Sequence, residues 1–515
     1  MNTRSDGLLT SKTHPRRWNC ENQPTNVDVC PLYNIPQLLL LTRCDVGQVK
    51  SIDLLPDDVL LDIFCFYVDE APWIEAWQSL VHVCRRWRTL VFGSPRRLNL
   101  RLVCLNQTPA RDTLDVWPPL PLFIRSNGSL FTTGGADNIV AVLERSDRVC
   151  QIKFIGTETS DLEICLAAMQ VPFPELTHLH LWLLVETVSA LPDSFLGGSA
   201  PRLETLWLRH IPFPGLPKLL LSATHLTILH LEFIPHSGYF SPEGMATALS
   251  TLTLLTRLWL HFEFPQPRPD PARQRPPPRT RSALPALTYF EFKGLSEYLD
   301  VVVARIDAPR LNKLDITFSN DIVFDTPQFV QFIGHTPMLK GLKNARVTFE
   351  DGTATVSLSS QIYTRDAELG VTIPCRELDW QVSSMEQVCT SCLPPLLNLE
   401  HLYIYENPRW RQHWQDNIEN ALWLELLHPF TSVKNLSLSK DIARRIVPAL
   451  QELVGDRATE VLPTLENIFL EERRSSGKSS GPVQEGIQQV VAVRQAASRP
   501  IAVSYGQYVR PGNRD

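Results

Sequence analysis

The sequence predicts an α/β chain: a small helical module at residues 51–100, followed by an irregular solenoid of parallel strands and helices over 101–470. Two observations predict it. A triplet of apolar residues recurs at a bounded interval through most of the chain, and two short amphipathic helical patterns precede it. Length and composition allow both, since 515 residues with 43% apolar and 20% charged side chains is globular usage with room for a long array.

The triplet reads apolar-x-x-apolar-x-apolar. It occurs at Val149/Ile152/Phe154, Leu176/Leu179/Leu181, Leu203/Leu206/Leu208, Leu226/Leu229/Leu231, Leu255/Leu258/Leu260 and Leu287/Phe290/Phe292. It continues at Leu311/Leu314/Ile316, Cys375/Leu378/Trp380, Leu399/Leu402/Ile404, Val433/Leu436/Leu438 and Leu465/Ile468/Leu470. A weaker copy at Leu339/Leu342 is broken by Asn344. One match means little in a Leu-rich chain, but copies starting 23 to 36 residues apart mark stacked supersecondary units. Within each copy the last two apolar residues alternate along a short strand and face the core, and the residues around them face the other way. Stretches between copies read as helices, opened by Ser241-Pro242-Glu243 and Thr326-Pro327 and again over Asp441 to Val454. Strand plus helix per unit gives a curved array of parallel strands.

The helical module is read from Val59, Ile63 and Tyr67 on one face, with Leu60 and Phe64 beside them, at i, i+4 spacing. Pro56 followed by Asp57 and Asp58 suits a helix start, where proline fits and acids favour the dipole. A second helical pattern runs through Trp73, Trp77, Leu80, Val81, Cys84, Trp87 and Val91.

Residues 1–50 lack a period and are expected to be disordered, and 471–515 read as a polar tail. A Pro/Arg-rich stretch at 265–285 reads as an extended insertion, either a solvated loop or a ligand for a proline-recognising module. Net charge is −6, which supplies no global basic field for nucleic acid. Met1 to Lys50 shows no secretory leader, and Leu38 to Leu41 is too short to span a bilayer. The 11 scattered Cys are therefore read as reduced thiols of a cytoplasmic or nuclear chain, neither secreted nor membrane-bound. Cys389-Thr390-Ser391-Cys392 is a lone C-x-x-C without further zinc ligands at suitable spacing, and no carboxylate or Cys adjoins His178-Leu179-His180 in its own unit. No phosphate loop, G-x-S-x-G or H-E-x-x-H is present, so no metal, cofactor or catalytic residue is expected.

Leu55-Pro56-Asp57-Asp58-Val59-Leu60-Leu61-Asp62-Ile63-Phe64, followed by Val83-Cys84-Arg85-Arg86-Trp87-Arg88-Thr89-Leu90, closely resembles the F-box family in both halves and in order. The segment between, Cys65 to His82, is longer than in compact members and includes Ala71-Pro72-Trp73. The array behind it resembles leucine-rich repeats, though it mostly lacks an Asn after the strand, with Asn407 the exception. The arrangement is similar to F-box proteins of mushroom-forming fungi. The resemblance implies a non-catalytic substrate-recognition subunit of a Skp-cullin-F-box ubiquitin ligase. The Skp adaptor, and through it a cullin, would be one partner and a protein substrate the other, with neither nucleic acid nor membrane involved. By matching positions, Leu55, Pro56, Val59, Leu60, Ile63 and Phe64 would be adaptor contacts or their support, completed by Val83, Cys84 and Trp87. The alternative is a repeat scaffold that binds a partner without a ligase role.

The outward strand positions include His178, His180 and Trp182, Thr205, Trp207 and Arg209, His230 and Glu232, and Arg257, Trp259 and His261. Tyr289, Glu291 and Lys293, Lys313 and Asp315, and His401, Tyr403 and Tyr405 follow. Large aromatics there are unexpected on a solvated strand face and are the usual anchors of interfaces. Trp182, Trp207 and Trp259, with Tyr403 and Tyr405, are therefore the candidate substrate-binding residues. The other reading has the tryptophans covered by the Pro-rich insertion or the tails.

Overall fold

A computed structural model describes residues 52–70, 76–95, 97–116, 119–127, 135–156, 159–184, 189–263, 281–319, 324–361, 367–406, 418–471 and 481–506. The chain divides into two compact units, Met1–Asp62 and Ile63–Asp515. Residues 1–50, most of the Pro/Arg-rich stretch, Trp73 and Asn407 lie outside the described residues.

The described part of the first unit is a short 3-10 turn, Ile52–Leu54, and the beginning of helix α1 (Asp57–Glu70), with Asp57 and Asp58 in its first turn. The second unit carries the rest of α1, then α2 (Trp77–Val81) and α3 (Arg85–Gly93). The sequence periodicity reads α2 and α3 as one helix. The break comes at Cys84, which adopts an extended backbone and accepts the Trp87 amide through its Sγ, capping α3.

The second unit continues with strands β1 (Leu102–Cys104), β2 (Leu122–Asn127), β3 (Val149–Ile155), β4 (His178–Trp182), β5 (Thr205–Arg209), β6 (Ile228–Ile234) and β7 (Arg257–Phe262). After β8 (Ser282–Ala283) come β9 (Tyr289–Gly294), β10 (Ile306–Asp307), β11 (Lys313–Phe318), β12 (Asn344–Glu350), β13 (Thr353–Ser359) and β14 (Leu369–Pro374). The last are β15 (His401–Glu406), β16 (Asn435–Leu438), β17 (Asn467–Glu471) and β18 (Ala502–Gly506). Sixteen of them form one sheet, ordered β1 to β7, then β9, β11, β14, β13, β12, and β15 to β18. Helices α4 (Ala110–Thr113), α5 (Gly135–Leu143), α6 (Thr159–Ala168), α7 (Leu216–Leu220), α8 (Pro242–Leu249) and α9 (Ser296–Val303) connect the first half. Helices α10 (Pro327–His335), α11 (Leu378–Gln387), α12 (Asn420–Leu427), α13 (Lys440–Gln451) and α14 (Gly481–Ala496) serve the second.

The strands form because the triplets place an apolar side chain at every second position, and those residues are the core: Leu179, Leu181, Leu206, Leu229, Leu258, Leu260, Phe290 and Ile316 are all essentially inaccessible. The opposite face, turned away from the helices, carries the intervening residues. The result is a leucine-rich-repeat-like α/β solenoid of mostly parallel strands. Among the described residues no Asn ladder follows the strands β3 to β9. Threonines at the strand entrances link the repeats: the Thr177 hydroxyl donates to Cys150 O at 3.0 Å, Thr227 to Glu204 O at 2.9 Å, Thr256 to Thr227 O at 2.8 Å and Thr288 to Thr256 O at 3.1 Å. Each ties one unit's strand entrance to the unit before it and contributes about 1 kcal/mol net.

Three features depart from the sequence reading. First, Cys375/Leu378/Trp380 is not a strand: Leu378 and Trp380 sit in α11, and Trp380 is 68% exposed. The strand there is β14, and β12, β13 and β14 form an antiparallel meander that keeps β14 parallel to β11 and β12 parallel to β15. Alternating Ala345, Val347 and Phe349, then Ala354, Val356 and Leu358, drive it, a period that the triplet template does not detect. Second, the repeat continues into the stretch read as a polar tail. Strand β18 pairs in parallel with β17, and in α14 the apolar Ile487 and Val490 are buried. The buried Arg494 of α14 donates to Val461 O at 2.5 Å and Leu462 O at 3.1 Å, a polar residue used as core, which composition hides. Third, the insertion ends earlier than expected: β8 pairs with β10, and Arg281 donates to Gln331 Oε1 at 2.6 Å.

Candidate partner-binding face

The residues of the helical module separate into an interior and a surface. Phe64 is fully buried and meets Trp87 at 4.6 Å between ring centroids, tilted by 56°. Trp77 lies edge-on to Phe92 at 5.9 Å and donates from its indole to Arg101 O at 3.1 Å. Arg88 donates through Nε to Val81 O at 3.0 Å and joins α3 to α2. Around that interior, Ile63 is 42%, Phe66 69% and Val83 58% exposed, and Tyr67 is exposed too. In the first unit, Leu54, Pro56 and Val59 are exposed, Leu55 is half-buried and Leu60 is buried. Of the residues predicted to meet the adaptor, Leu60 and Phe64 are thus interior, Cys84 and Trp87 are half-buried supports, and Val59, Ile63 and Val83 are surface. In the second unit Ile63 and Tyr67, four residues apart, are both exposed, and Phe66, three residues after Ile63, adds to the same apolar face.

The helix-free sheet face carries the second group. Strand register aligns Lys153, His180, Trp207, His230, Trp259 and Glu291, each the residue between the last two apolar residues of its triplet. Four of them stack as alternating imidazoles and indoles. His180 to Trp207 is 4.4 Å at 5°, Trp207 to His230 is 4.2 Å at 17°, and His230 to Trp259 is 4.6 Å at 19°. Tyr289 closes the stack on Trp259 at 4.7 Å. Strands about 4.8 Å apart hold planar side chains at stacking distance when the same position is aromatic in each unit.

Acids and bases bracket the stack. His230 Nε2 lies 2.9 Å from Glu232 Oε1, and Arg209 Nη1 lies 3.3 Å from Glu232 Oε2. Arg209 also covers Trp182 at 4.6 Å and Phe233 at 4.8 Å. Glu291 takes His261 Nε2 at 3.0 Å, the Tyr289 hydroxyl and the Trp259 indole. Burial alone would raise Glu232 and Glu291, but hydrogen bonds and charge from His230 and His261 outweigh it and hold both below the ordinary carboxylate value. Burial raises the Asp315 carboxyl, helped by Glu291 across the ladder. Phe233 reaches this face through a register shift in β6. It and His210 take left-handed backbone, at φ of 49° and 56°, and their rings stack at 4.7 Å. Non-glycine residues held there cost free energy that surrounding structure must offset, as is common at binding sites.

Desolvation, with Lys153 and His230 adding to it, pushes the His180 imidazole down to about 4 despite Glu232. A base depressed in the folded state binds its proton more readily when unfolded. Its contribution is therefore complete above about pH 6.5, the unfolded value, and is lost as pH falls towards 4. The thermal midpoint of the protein is expected to fall across that window, and His180→Asn is expected to flatten the slope. A slope unchanged by the substitution would rule out this role for His180.

The sequence grouped Trp182, Trp207 and Trp259. The structure puts Trp207 and Trp259 in one row with His230 between them, and Trp182 in the next row beside Arg209. Tyr403 and Tyr405 are half-buried on β15, with β9, β11, β14, β13 and β12 between them and β7, so they belong to a separate part of the face. His178 accepts or donates at Nδ1 with Gln151 at 3.0 Å and Thr177 at 2.8 Å, and is engaged within the sheet. Cys389 and Cys392 are buried free thiols, and burial raises both. Among the described residues no group of three His, Cys, Asp or Glu is placed to hold a metal ion, and no helix is long and apolar enough to cross a membrane.

No family model matches the chain, and no curated protein sequence matches it. Among solved structures, the leucine-rich repeat-containing protein LegL7 from Legionella pneumophila is similar at 12% identity, covering 76% of this chain and 97% of that one, with a TM-score of 0.23. At that score the likeness adds no argument, and the repeat architecture stands on the strand order and register described above.

Proposed function

We propose that this chain is the substrate receptor of a Skp-cullin-F-box ubiquitin ligase. Its helical module docks on the Skp adaptor, and the helix-free sheet face holds the protein to be ubiquitylated. It is non-catalytic and works in the cytoplasm or nucleus, where the adaptor and cullin would be met. The observation that carries the reading is the sorting of the F-box-like residues: Phe64 and Trp87 close the interior, while Ile63, Phe66 and Val83 remain as large apolar side chains in solvent. Large apolar side chains left exposed on so small a helical unit favour a partner that covers them. Exposed side chains such as Ile63 and Phe66 on α1 suit helix docking, with Val83 in the turn between α2 and α3 as a further candidate contact.

The substrate half rests on the His/Trp stack, a rigid aromatic surface of low conformational entropy. Replacing Trp182, Trp207 and Trp259 together by Ala is expected to abolish capture of the bound protein while adaptor co-purification persists. Quantitative comparison of proteins co-purifying with each form checks it. Undiminished capture would move the substrate site elsewhere.

A further inference from the structure

The sheet face is not electrostatically uniform. Strands β2 to β5 contain no Asp or Glu, while β6, β9 and β11 bring Glu232, Glu291 and Asp315. In the acid-free part, Arg125, Lys153 and His180 are in register on adjacent strands, next to Trp207. Lys153 is half-buried, and its ammonium makes no hydrogen bond or ion pair among the described residues. Desolvation, with repulsion from Arg125, lowers its pKa, and among the described residues no carboxylate offsets either. A partly desolvated cation without a counter-ion is costly in a free protein and is relieved by an anionic ligand. The indole nitrogens of Trp182 and Trp207 and Nε2 of His180, all buried in this corner, also lack hydrogen-bond partners among the described residues. Arg209 Nε and Glu232 Oε2 farther along the face lack one as well, so the corner is set apart not by these atoms alone but by nitrogens that stand beside strands without Asp or Glu.

We infer that the corner formed by Lys153, His180 and Trp182, with Arg125 adding positive field beside it, binds an acidic segment of the protein partner, with an Asp or Glu carboxylate seated on Lys153. The aromatic stack continues from that corner and supplies contact area for the apolar residues of the same segment. This deepens the receptor reading and depends on it only for what the segment belongs to.

Calorimetric titration of the full-length protein with a hexaglutamate peptide tests it, with hexalysine and a phosphoserine peptide as the other arms. Hexaglutamate is expected to bind and hexalysine to give no heat. Lys153→Met and Arg125→Glu are each expected to weaken hexaglutamate by about tenfold or more, since hydrogen bonds to charged groups carry that much. Circular dichroism of each variant confirms its fold, and two variants on different strands guard against the failure of either. Absence of hexaglutamate binding, or affinity unchanged in both variants, overturns the inference. Binding of the phosphoserine peptide alone overturns the carboxylate assignment. Adaptor co-purification is measured on the same preparations. Adaptor retained with no peptide binding sinks this inference alone, whereas peptide bound with no adaptor sinks the receptor reading alone.

Discussion

Phe262→Ala is expected to destabilise the protein by about 3–5 kcal/mol, the range for removing a buried aromatic ring. Phe262 ends β7 and is essentially inaccessible. Its ring meets Tyr298 at 4.7 Å, Phe240 at 5.6 Å, Tyr239 at 6.3 Å and Phe292 at 6.4 Å. Those partners come from the segment before α8, from α9 and from β9, so one ring joins three successive units. Truncation leaves a cavity that fixed strands cannot close. Units of a solenoid are stabilised mainly by their neighbours, and the loss is therefore local at first. Amide hydrogen exchange should rise most in β6 to β9 and in α8 and α9, and least in β15 to β18. A change below about 1 kcal/mol, or protection lost evenly along the chain, would show that these rings do not form the inter-unit core.

The second large effect is on association. Ile63→Asp is expected to weaken binding of the Skp adaptor by about thirtyfold or more, the loss of about 2 kcal/mol that defines an interface anchor. Its effect on folding is expected to stay within about 0.5 kcal/mol, because the side chain is a surface one in the free chain. Phe64→Ala provides the contrast. The neighbouring Phe64 packs on Trp87, and its loss should lower stability by about 3 kcal/mol or more. Adaptor binding would then fall through unfolding. Measuring adaptor affinity and thermal midpoint on both variants separates docking from support. An Ile63→Asp chain that binds the adaptor at full strength would remove α1 from the interface.

The legibility of this molecule in its sequence follows from periodicity. Where a strand presents two buried apolar residues to the helices, as Leu206/Leu208 and Leu258/Leu260 do, the triplet places it to the residue. The row His180, Trp207, His230, Trp259 was also legible, since each occupies the same slot of its triplet. Size singles out the tryptophans, but His180 and His230 occupy the same slot and complete the row. The β12–β14 meander was not legible, because an antiparallel hairpin alternates with period two and needs no triplet. Trp380 fits the triplet by spacing and yet lies in a helix, where the same residues meet a different period. The C-terminal continuation was missed because α14 buries few apolar residues and relies on Arg494, whose hydrogen bonds composition cannot show. In the helical module the apolar spacing predicts a helix over 59–67, but only burial sorts Phe64 from Ile63. Neighbours in sequence on a helix point about 100° apart, and which face meets the interior depends on α2 and α3.

Recruitment of the adaptor by the helical module decides whether the chain is a ligase receptor. Mixing the purified full-length chain with purified Skp adaptor and measuring the mass of the eluting species by light scattering tests that directly. A one-to-one complex, lost with Ile63→Asp while the variant remains folded, is the predicted result. A wild-type chain that elutes alone at micromolar concentrations, folded and with its sheet intact, would contradict it.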